Sequence, residues 1–226
     1  MTAPTPHIIH KNTFWLSAER CIFWEEERLL ILSDLHFGKT GHFRKAGIAV
    51  PQDVFQSDLQ RLLNLIQHFK PSGLIAVGDL FHSHANKELD LFLKWKETMN
   101  VAFHLVKGNH DILSASWYAQ ANIIVHQHSL QHKNFLFTHD QETIEEHDAD
   151  YVFTGHIHPG VIVRGLGKQT LRFPCFYFCE DFCVLPAFSH FTGLASIEPC
   201  KSETVFAIIP KDKRNNSASC LVKLVV

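Results

Sequence analysis

The sequence lacks long apolar runs, CxxC pairs and a strong excess of charge of one sign. No apolar run approaches the roughly 18 residues that a membrane span needs, so contact with a membrane is not expected. The start, MTAPTPHIIHKNTFWL, has no charged segment followed by an apolar core, which argues against a secretory signal. We therefore expect a cytoplasmic location.

The low net charge and the spacing of the cysteines exclude two further kinds of site. The formal net charge is −2 at pH 7, so any contact with nucleic acid must come from a local basic patch. None of the six cysteines forms a CxxC pair, and a structural zinc site of the usual spacing is not supported. The stretch CFYFCEDFC predicts two strands joined by a turn at Glu180 and Asp181.

The chain of 226 residues, 46% of them hydrophobic, is typical of one soluble globular domain over residues 1–226. Within it, residues 210–226 are a tail whose structure the sequence leaves uncertain, read as a loop plus an edge strand. Apolar residues recur every three or four positions in PQDVFQSDLQRLLNLIQHFK, which predicts a helix, and NKELDLFLKWKETM predicts a second. After Pro159, short apolar runs without helical spacing predict antiparallel strands of a second sheet.

Polar residues follow five short apolar runs, at the points where strands are predicted to end. DLHFGK follows RLLILS, DLFHSH follows LIAVG, GNHD follows VAFHLVK, HD follows NFLFT, and GHIHP follows YVFT. Strands that alternate with helices indicate a layered α/β sheet, and such sheets bind ligands at the carboxyl ends of their strands. The five clusters are therefore expected to meet at one site.

The five clusters contain the carboxylate, imidazole and amide groups that bind divalent metal ions. The residues are Asp34, His36, Asp79, Asn109, His139, His156 and His158. In a strand-like segment residues i and i+2 point the same way, so each of the DxH and HxH pairs could converge on one pocket. A single pair of this kind usually marks a solvated turn, but five clusters in order favour a metal site.

The order DxH, GD, GNHD, H and GHxH, from about residue 29 to 160, resembles the pattern of the calcineurin-like metallophosphoesterases. The resemblance implies an α/β fold, a four-layer α-β-β-α sandwich of two mixed sheets flanked by helices. It also implies a dinuclear metal centre at the strand ends, for which we expect two manganese ions, with iron, zinc or magnesium as alternatives.

The resemblance also assigns roles to single residues. One metal would be held by Asp34, His36, Asp79 and His158, and Asp79 would bridge to a second metal held by Asn109, His139 and His156. His110 would lie close to the leaving oxygen. Many phosphatases of this superfamily have an aspartate three residues after the bridging acid, whereas this chain has His82, which matches the nuclease branch typified by the SbcD DNA nucleases.

A closer resemblance joins DLHFGKTGHFRKAGIAVP, GHIHPGV and the late stretch LRFPCFYFCEDFCVLPAFSHFTG to the ligase-associated DNA damage response endonucleases, the PdeM group. It implies a role in DNA repair with a DNA ligase, a helicase and an exonuclease-like protein as partners. A homo-oligomer is compatible with the sequence, which does not define the oligomeric state.

Basic residues beside the first metal motif are candidates for contact with substrate phosphates. They are Lys39, His42, Arg44 and Lys45; a second basic group at Arg164, Lys168 and Arg172 is equally well explained as a solvated face. Asp111 and Asp140 are placed to orient histidines of the site. The segment HQHSLQH, residues 126–132, fits no motif and predicts a strand, a turn and a strand.

Three functions remain after these steps. The first is a phosphodiesterase or endonuclease that hydrolyses DNA by two-metal-activated attack of water. The second is a phosphatase or cyclic-nucleotide-type phosphodiesterase that acts on a small or protein substrate. The third is a non-catalytic scaffold, which ranks last because such a scaffold would be expected to lose catalytic groups that are all present here.

Overall fold

The computed structural model describes residues 2–39, 53–82, 87–143, 146–164, 170–211 and 218–224. Its α-helices are α1 (Asp53–Phe69), α2 (Lys87–Glu97) and α3 (Ala115–Gln120), and a 3₁₀ turn spans Gln141–Thr143. The first strands are β1 (Thr5–Ile9), β2 (Asn12–Ser17), β3 (Cys21–Trp24), β4 (Leu29–Leu32), β5 (Gly73–Val77), β6 (Ala102–Val106), β7 (Ile124–His126) and β8 (Ser129–His132). The others are β9 (Phe135–Thr138), β10 (Tyr151–Thr154), β11 (Pro159–Arg164), β12 (Thr170–Phe178), β13 (Phe182–Val184), β14 (Ala195–Ser196), β15 (Thr204–Ile209) and β16 (Cys220–Leu224).

The first sheet contains β1 to β7 in chain order. Strands β1 to β4 form antiparallel pairs with one another, and β4 to β7 form parallel pairs. The parallel strands β4 and β5 are short, largely buried aliphatic runs, as expected where a sheet is covered on both faces, and in β6 Phe103, Leu105 and Val106 are buried. Their carboxyl ends lie along one edge of the sheet.

The second sheet has the order β14-β11-β12-β13-β10-β9-β8, and β15 pairs with β12 and carries β16 at its other side. Strand β10 is parallel to both β9 and β13, while β11, β12, β15 and β16 form antiparallel pairs. Both sheets are therefore mixed, as the fold class predicts, and β16 confirms the edge strand expected in the C-terminal tail.

The two sheets pack face to face through an aromatic core. Phe14 and Trp24 of the first sheet contact Phe135 of the second at ring-centroid distances of 5.1 and 4.8 Å. Phe153 joins the same cluster, and its ring stacks on Phe137. Because buried aromatic rings contribute large apolar areas, this layer fixes how the strand ends of one sheet face those of the other.

The helices cover the outer face of the first sheet. In α1 the buried residues Phe55, Leu59, Leu62 and Ile66 recur every three or four positions and pack in a core with β3 to β6. Residues of α2 and α3 join that core. The layers seen among the described residues are thus helix, sheet, sheet, and no helix of this part of the chain is long and apolar enough to span a membrane.

Most of the predicted helices and strands are confirmed, and the structure adds two features that the sequence did not predict. The CFYFCEDFC stretch forms the antiparallel pair β12 and β13, with a turn at residues 179–181. Residues 126–132 form a strand, a turn and a strand, but β7 belongs to the first sheet and β8 to the second. The antiparallel strands β1, β2 and β3 were not predicted from the sequence.

Candidate metal centre

The seven predicted metal ligands lie directly beyond the carboxyl ends of five strands. Two strands of the first sheet, β4 and β5, are followed by Asp34 and His36 and by Asp79, and β6 is followed by Asn109. In the second sheet β9 leads to His139, and β10 to His156 and His158. The face-to-face packing of the two sheets brings all these side chains to one edge of the sandwich.

One group of ligand atoms is formed by Asp34, His36 and His158. The Nε2 atom of His158 lies 3.1 Å from Asp34 Oδ1 and 3.2 Å from His36 Nε2, and His36 Nε2 is 3.9 Å from Asp34 Oδ1. Asp34 and His36 are buried. These three side chains therefore point at a common position between the sheets.

A second group is centred on His139. Its Nε2 atom lies 3.2 Å from His156 Nδ1, 3.3 Å from Asn109 Oδ1 and 3.4 Å from Asp79 Oδ1. Its Nδ1 atom is 3.1 Å from the carbonyl oxygen of Val77, which sets the orientation of the ring. His156 therefore lies in this second group, and His158 lies in the first.

Asp79 stands between the two groups. Its Oδ1 atom faces His139, and its Oδ2 atom lies 3.9 Å from His36 Nδ1. The carboxylate also belongs with Asp34 and His139 to a set whose ligand atoms all lie within 4.8 Å of one another. Asp79 therefore lies next to both groups of ligand atoms.

The residues fit divalent metal ions. Metal–ligand bonds of about 2.1 Å place neighbouring ligand atoms roughly 3.0–3.4 Å apart. The distances from His158 Nε2 in the first group and from His139 Nε2 in the second match this range, while His36 Nε2 and Asp34 Oδ1 are farther apart, at 3.9 Å. Asp34 Oδ1 and His36 Nδ1 are buried without a hydrogen-bond partner, although buried polar atoms normally have one. A cation would satisfy Asp34 Oδ1.

The backbone at the ligands corrects one step of the sequence argument. The DxH and HxH pairs lie past the strand ends, and Asp34, His36, Asp79, His156 and His158 all have positive φ angles, between 49° and 67°. Such left-handed conformations are uncommon outside glycine and cluster at functional sites. The side chains of Asp34 and His36 converge because the left-handed backbone at both residues turns the loop, and not because they alternate along a strand.

Glycines allow the loops to pack against the ligands. A Cβ atom on Gly78, whose φ is +82°, would lie 1.9 Å from His139 Nδ1, and one on Gly108 would lie 2.2 Å from Asp79 Oδ1. A Cβ atom on Gly155 would lie 1.9 Å from Ser33 Oγ. Gly155 is therefore needed for close approach to Ser33, which itself lies 2.6 Å from Asp34 Oδ2.

Electrostatic coupling links the two groups. Burial opposes ionisation of Asp79, yet the hydrogen bond and charge of His139 hold the pKa of Asp79 well below its usual range. Burial likewise disfavours a charged His139, but Asp79 and Asp34 raise the pKa of His139 to about 9. Burial lowers the pKa of His36 to about 3. Since an imidazole must be neutral to bind a metal, cation binding displaces the His139 proton.

His82 and His110 lie beside the first group. Their ring centroids are 3.9 Å apart, and they lie 5.4 and 5.7 Å from the ring of His36. His110 Nε2 is 3.9 Å from Asp79 Oδ2, and the side chain is 41% exposed. The two histidines therefore form an accessible pair at the rim of the centre.

The two aspartates expected to orient histidines differ in their contacts. Asp140 Oδ2 lies 4.0 Å from His156 Nε2, which is close but longer than a hydrogen bond. Asp111 instead accepts hydrogen bonds from the main-chain amides of Phe81, at 3.0 Å, and Gly108, at 2.9 Å. Its role is corrected accordingly: it ties the loop after β5 to the loop after β6, because its burial leaves these amides as its partners.

Of the predicted phosphate-binding residues, the structure describes Lys39, which is half-buried next to the centre. Burial lowers its pKa, and Asp79 and Asp34 act on it in the opposite direction. His42, Arg44, Lys45 and Lys168 lie outside the described residues. Arg172 of the second basic group donates to the carbonyl oxygen of Leu194 at 3.0 Å.

Sequence reasoning missed Ser33 and Lys107, and it set aside Gln127 and His128 with the segment 126–132. Of these residues, Lys107, Gln127 and His128 form one set. These last three residues line a cavity together with the ligands Asn109, His139 and His156. Ser33 directly precedes the first ligand, which is a usable signal. The other three carry no motif, and only the pairing of β6 with β7 brings Gln127 and His128 to the site.

The comparisons with known proteins first give the family that the chain resembles. The family model of the calcineurin-like phosphoesterases matches residues 27–122, which include Asp34, Asp79 and Asn109. No curated protein sequence matches the chain. The match confirms the predicted resemblance to the calcineurin-like phosphoesterases. The predicted sandwich of two mixed sheets is also confirmed, with helices seen on the first sheet in the described part of the chain.

A particular nuclease is similar over nearly the whole chain. The crystal structure of Pseudomonas putida nuclease MPE has a TM-score of 0.77 and 28% sequence identity, and the match covers 90% of this chain and 96% of the nuclease. This likeness fits the predicted resemblance to the ligase-associated nucleases. A phosphoesterase from E. coli, Yfce, has a TM-score of 0.44 at 13% identity, over 88% of this chain and 98% of its own.

Proposed function

We propose that the protein is a metal-dependent phosphodiesterase that hydrolyses phosphodiester bonds in DNA. The observation that carries the proposal is the convergence of seven side chains into two neighbouring groups, with Asp34 in both sets of ligand atoms and Asp79 next to both groups. The likeness to a nuclease at 28% identity over 96% of its length supports nucleic acid as the substrate. The resemblance to the ligase-associated group supports a role in DNA repair, with a ligase, a helicase and an exonuclease-like protein as partners.

The ligand set is suited to two divalent ions, for which we propose manganese. One ion would be held by Asp34, His36, Asp79 and His158, and the other by Asp79, Asn109, His139 and His156. When bound, such a pair of cations activates water and neutralises charge on the phosphate during in-line displacement. Two divalent ions would carry four positive charges, and the carboxylates of Asp34 and Asp79 carry two negative charges. The loaded site would therefore have a net positive charge that attracts a phosphate.

The protein's own residues complete the reaction. A water molecule loses a proton to solvent, and its oxygen forms a bond to phosphorus while the opposite phosphorus–oxygen ester bond breaks. The leaving oxygen takes a proton. His110 is the group placed to donate that proton, because its exposed ring lies at the rim of the centre. His82, with its ring 3.9 Å away, positions the ring of His110. Lys39, half-buried and subject to the charges of Asp79 and Asp34, would contact a phosphate of the substrate.

The role of His110 is tested by His110→Ala. General acid catalysis contributes about 10²–10⁴-fold, so we expect turnover of bis-p-nitrophenyl phosphate to fall by that factor while the manganese content stays near the wild-type value. His68→Ala, an exposed histidine at the end of α1, is the matched control. A large loss of metal in His110→Ala would instead make His110 a ligand.

The substrate class is tested by a panel of substrates with manganese present. We expect cleavage of bis-p-nitrophenyl phosphate and of single-stranded DNA, and weaker cleavage of the monoester p-nitrophenyl phosphate and of cyclic nucleotides. A protein that cleaves the monoester alone is a phosphatase, and that result would overturn the nuclease proposal.

A further inference from the structure

Two grooves border the metal centre on either side of His156. The first has a volume of about 260 Å³ and is lined by Gln141, Glu142, Ile157 and Val184 in addition to Asp140. The second has a volume of about 250 Å³ and reaches from the ligands Asn109 and His139 to Lys107, Gln127 and His128. Asp140 and His156 line both grooves.

The charges of the two grooves differ. The first groove carries Glu142 as well as Asp140 and has no lysine or arginine among its lining residues. The second carries Lys107 as well as Asp140, with the amide of Gln127 and the imidazole of His128 as further polar groups. A polyanionic strand that leaves the metal centre is therefore repelled less by the second groove, where a lysine offsets the one carboxylate, than by the first, which has two carboxylates.

An apolar cavity continues from the second groove. Its volume is about 210 Å³, and its walls are mainly Leu113, Tyr118, Ile123 and Val125. Lys107 and Gln127 line both this cavity and the second groove. From the centre outward, the metal ligands come first, then the Lys107 side chain with its polar neighbours, and then the apolar cavity.

We propose that this continuous surface is a nucleotide subsite, and the proposal rests on the proposed nuclease function. The phosphate next to the scissile one binds Lys107 and His128, and the base of that nucleotide enters the apolar cavity beside Gln127. Proteins that bind single strands combine cationic contacts to the backbone with apolar or aromatic surfaces for the bases. The subsite selects an unpaired strand, because a paired base is not free to enter the cavity.

The backbone holds this subsite in a fixed relation to the metal ligands. The amide of Lys107 donates to the carbonyl oxygen of His126 at 2.9 Å, which extends the pairing of β6 with β7. Asn109 follows two residues later and contacts His139. A phosphate at the metal ligands and the next phosphate at Lys107 would thus contact neighbouring residues just beyond the end of β6.

The phosphate contact is tested by binding of a fluorescent oligothymidylate in the His110→Ala background with manganese, at several salt concentrations. Each phosphate contact on a single strand contributes about 0.7 to the slope of log K against log salt. We expect Lys107→Ala to weaken binding about tenfold and to reduce that slope by about 0.7, while Lys107→Arg keeps the slope. Lys201→Ala, an exposed lysine that lines none of these cavities, is the control.

The base contact is tested by Ala119→Phe, since Ala119 is an exposed residue of α3 that lines the apolar cavity. Filling the cavity should weaken binding of the oligothymidylate about fivefold or more, and have little effect on a strand with abasic sites. Equal loss for both strands would overturn the assignment of the base.

The outcomes separate this inference from the function on which it rests. A wild-type protein that cuts DNA, with a Lys107→Ala variant whose affinity and salt slope equal those of Lys201→Ala, would overturn the subsite and leave the nuclease function standing. A wild-type protein that cuts neither DNA nor diesters would overturn the function itself.

Discussion

Gly108 offers a direct test of how tightly the loops close around Asp79. A Cβ atom at this position would lie 2.2 Å from Asp79 Oδ1 and 2.5 Å from the backbone nitrogen of Asp79. The second contact is with main chain, so rotation of a side chain cannot relieve it. Overpacking of this kind costs about 1–3 kcal/mol, which in a domain of this size lowers the melting temperature by about 2–12 °C.

The assay is thermal unfolding of Gly108→Ala with and without manganese. We expect the metal-free variant to melt lower than the wild type by the amount above, and the stabilisation by manganese to shrink because Asp79 is displaced. Gly193→Ala is the matched control, since a Cβ atom there meets nothing within 4 Å. If the two variants melt together and respond equally to manganese, Asp79 is not held against Gly108.

Two further predictions concern buried titratable groups. Asp111 accepts hydrogen bonds from the main-chain amides of Phe81 and Gly108. Asp111→Asn should lower the free energy of unfolding by about 1–3 kcal/mol, because the asparagine side chain cannot accept from both amides. Urea unfolding beside the exposed control Asp148→Asn measures this, and equal stability would refute it. Burial, with a contribution from Lys223, lowers the pKa of His7 to about 4, and its ring lies 4.2 Å from that of Phe178. The unfolded chain, with a histidine pKa of about 6.5, then binds the proton more readily, so stability should fall as the pH falls from about 6.5 to 4. Urea unfolding across this range should show a smaller fall in His7→Gln, and an unchanged fall would rule out His7 as its cause.

The sequence predicts the site better than its detailed geometry. Each ligand cluster follows a short apolar run, and short buried strands are read easily because their residues are almost all aliphatic or aromatic. The left-handed backbone at Asp34 and His156 could not be read in this way, since it depends on neighbouring loops. Hydrogen bonds such as that from the Asp34 amide to the Gly78 carbonyl oxygen, at 3.1 Å, stabilise it.

Long-range contacts explain what the sequence did not reveal. Asp111 looked like a partner for a histidine because it follows His110, but its oxygens face amides of two loops. Lys107 and Gln127 are twenty residues apart and meet only when β6 and β7 pair. Likewise, β7 and β8 look like one hairpin in sequence, and their assignment to different sheets follows from the packing of the two sheets.

The central claim is that the seven ligand side chains form two metal positions joined by Asp79. It is tested most directly by the manganese content of the metal-reconstituted, desalted protein, measured by inductively coupled plasma mass spectrometry. The account predicts about two manganese ions per chain in the wild type, since Asp79 completes both positions. One ion per chain, or none, would contradict it.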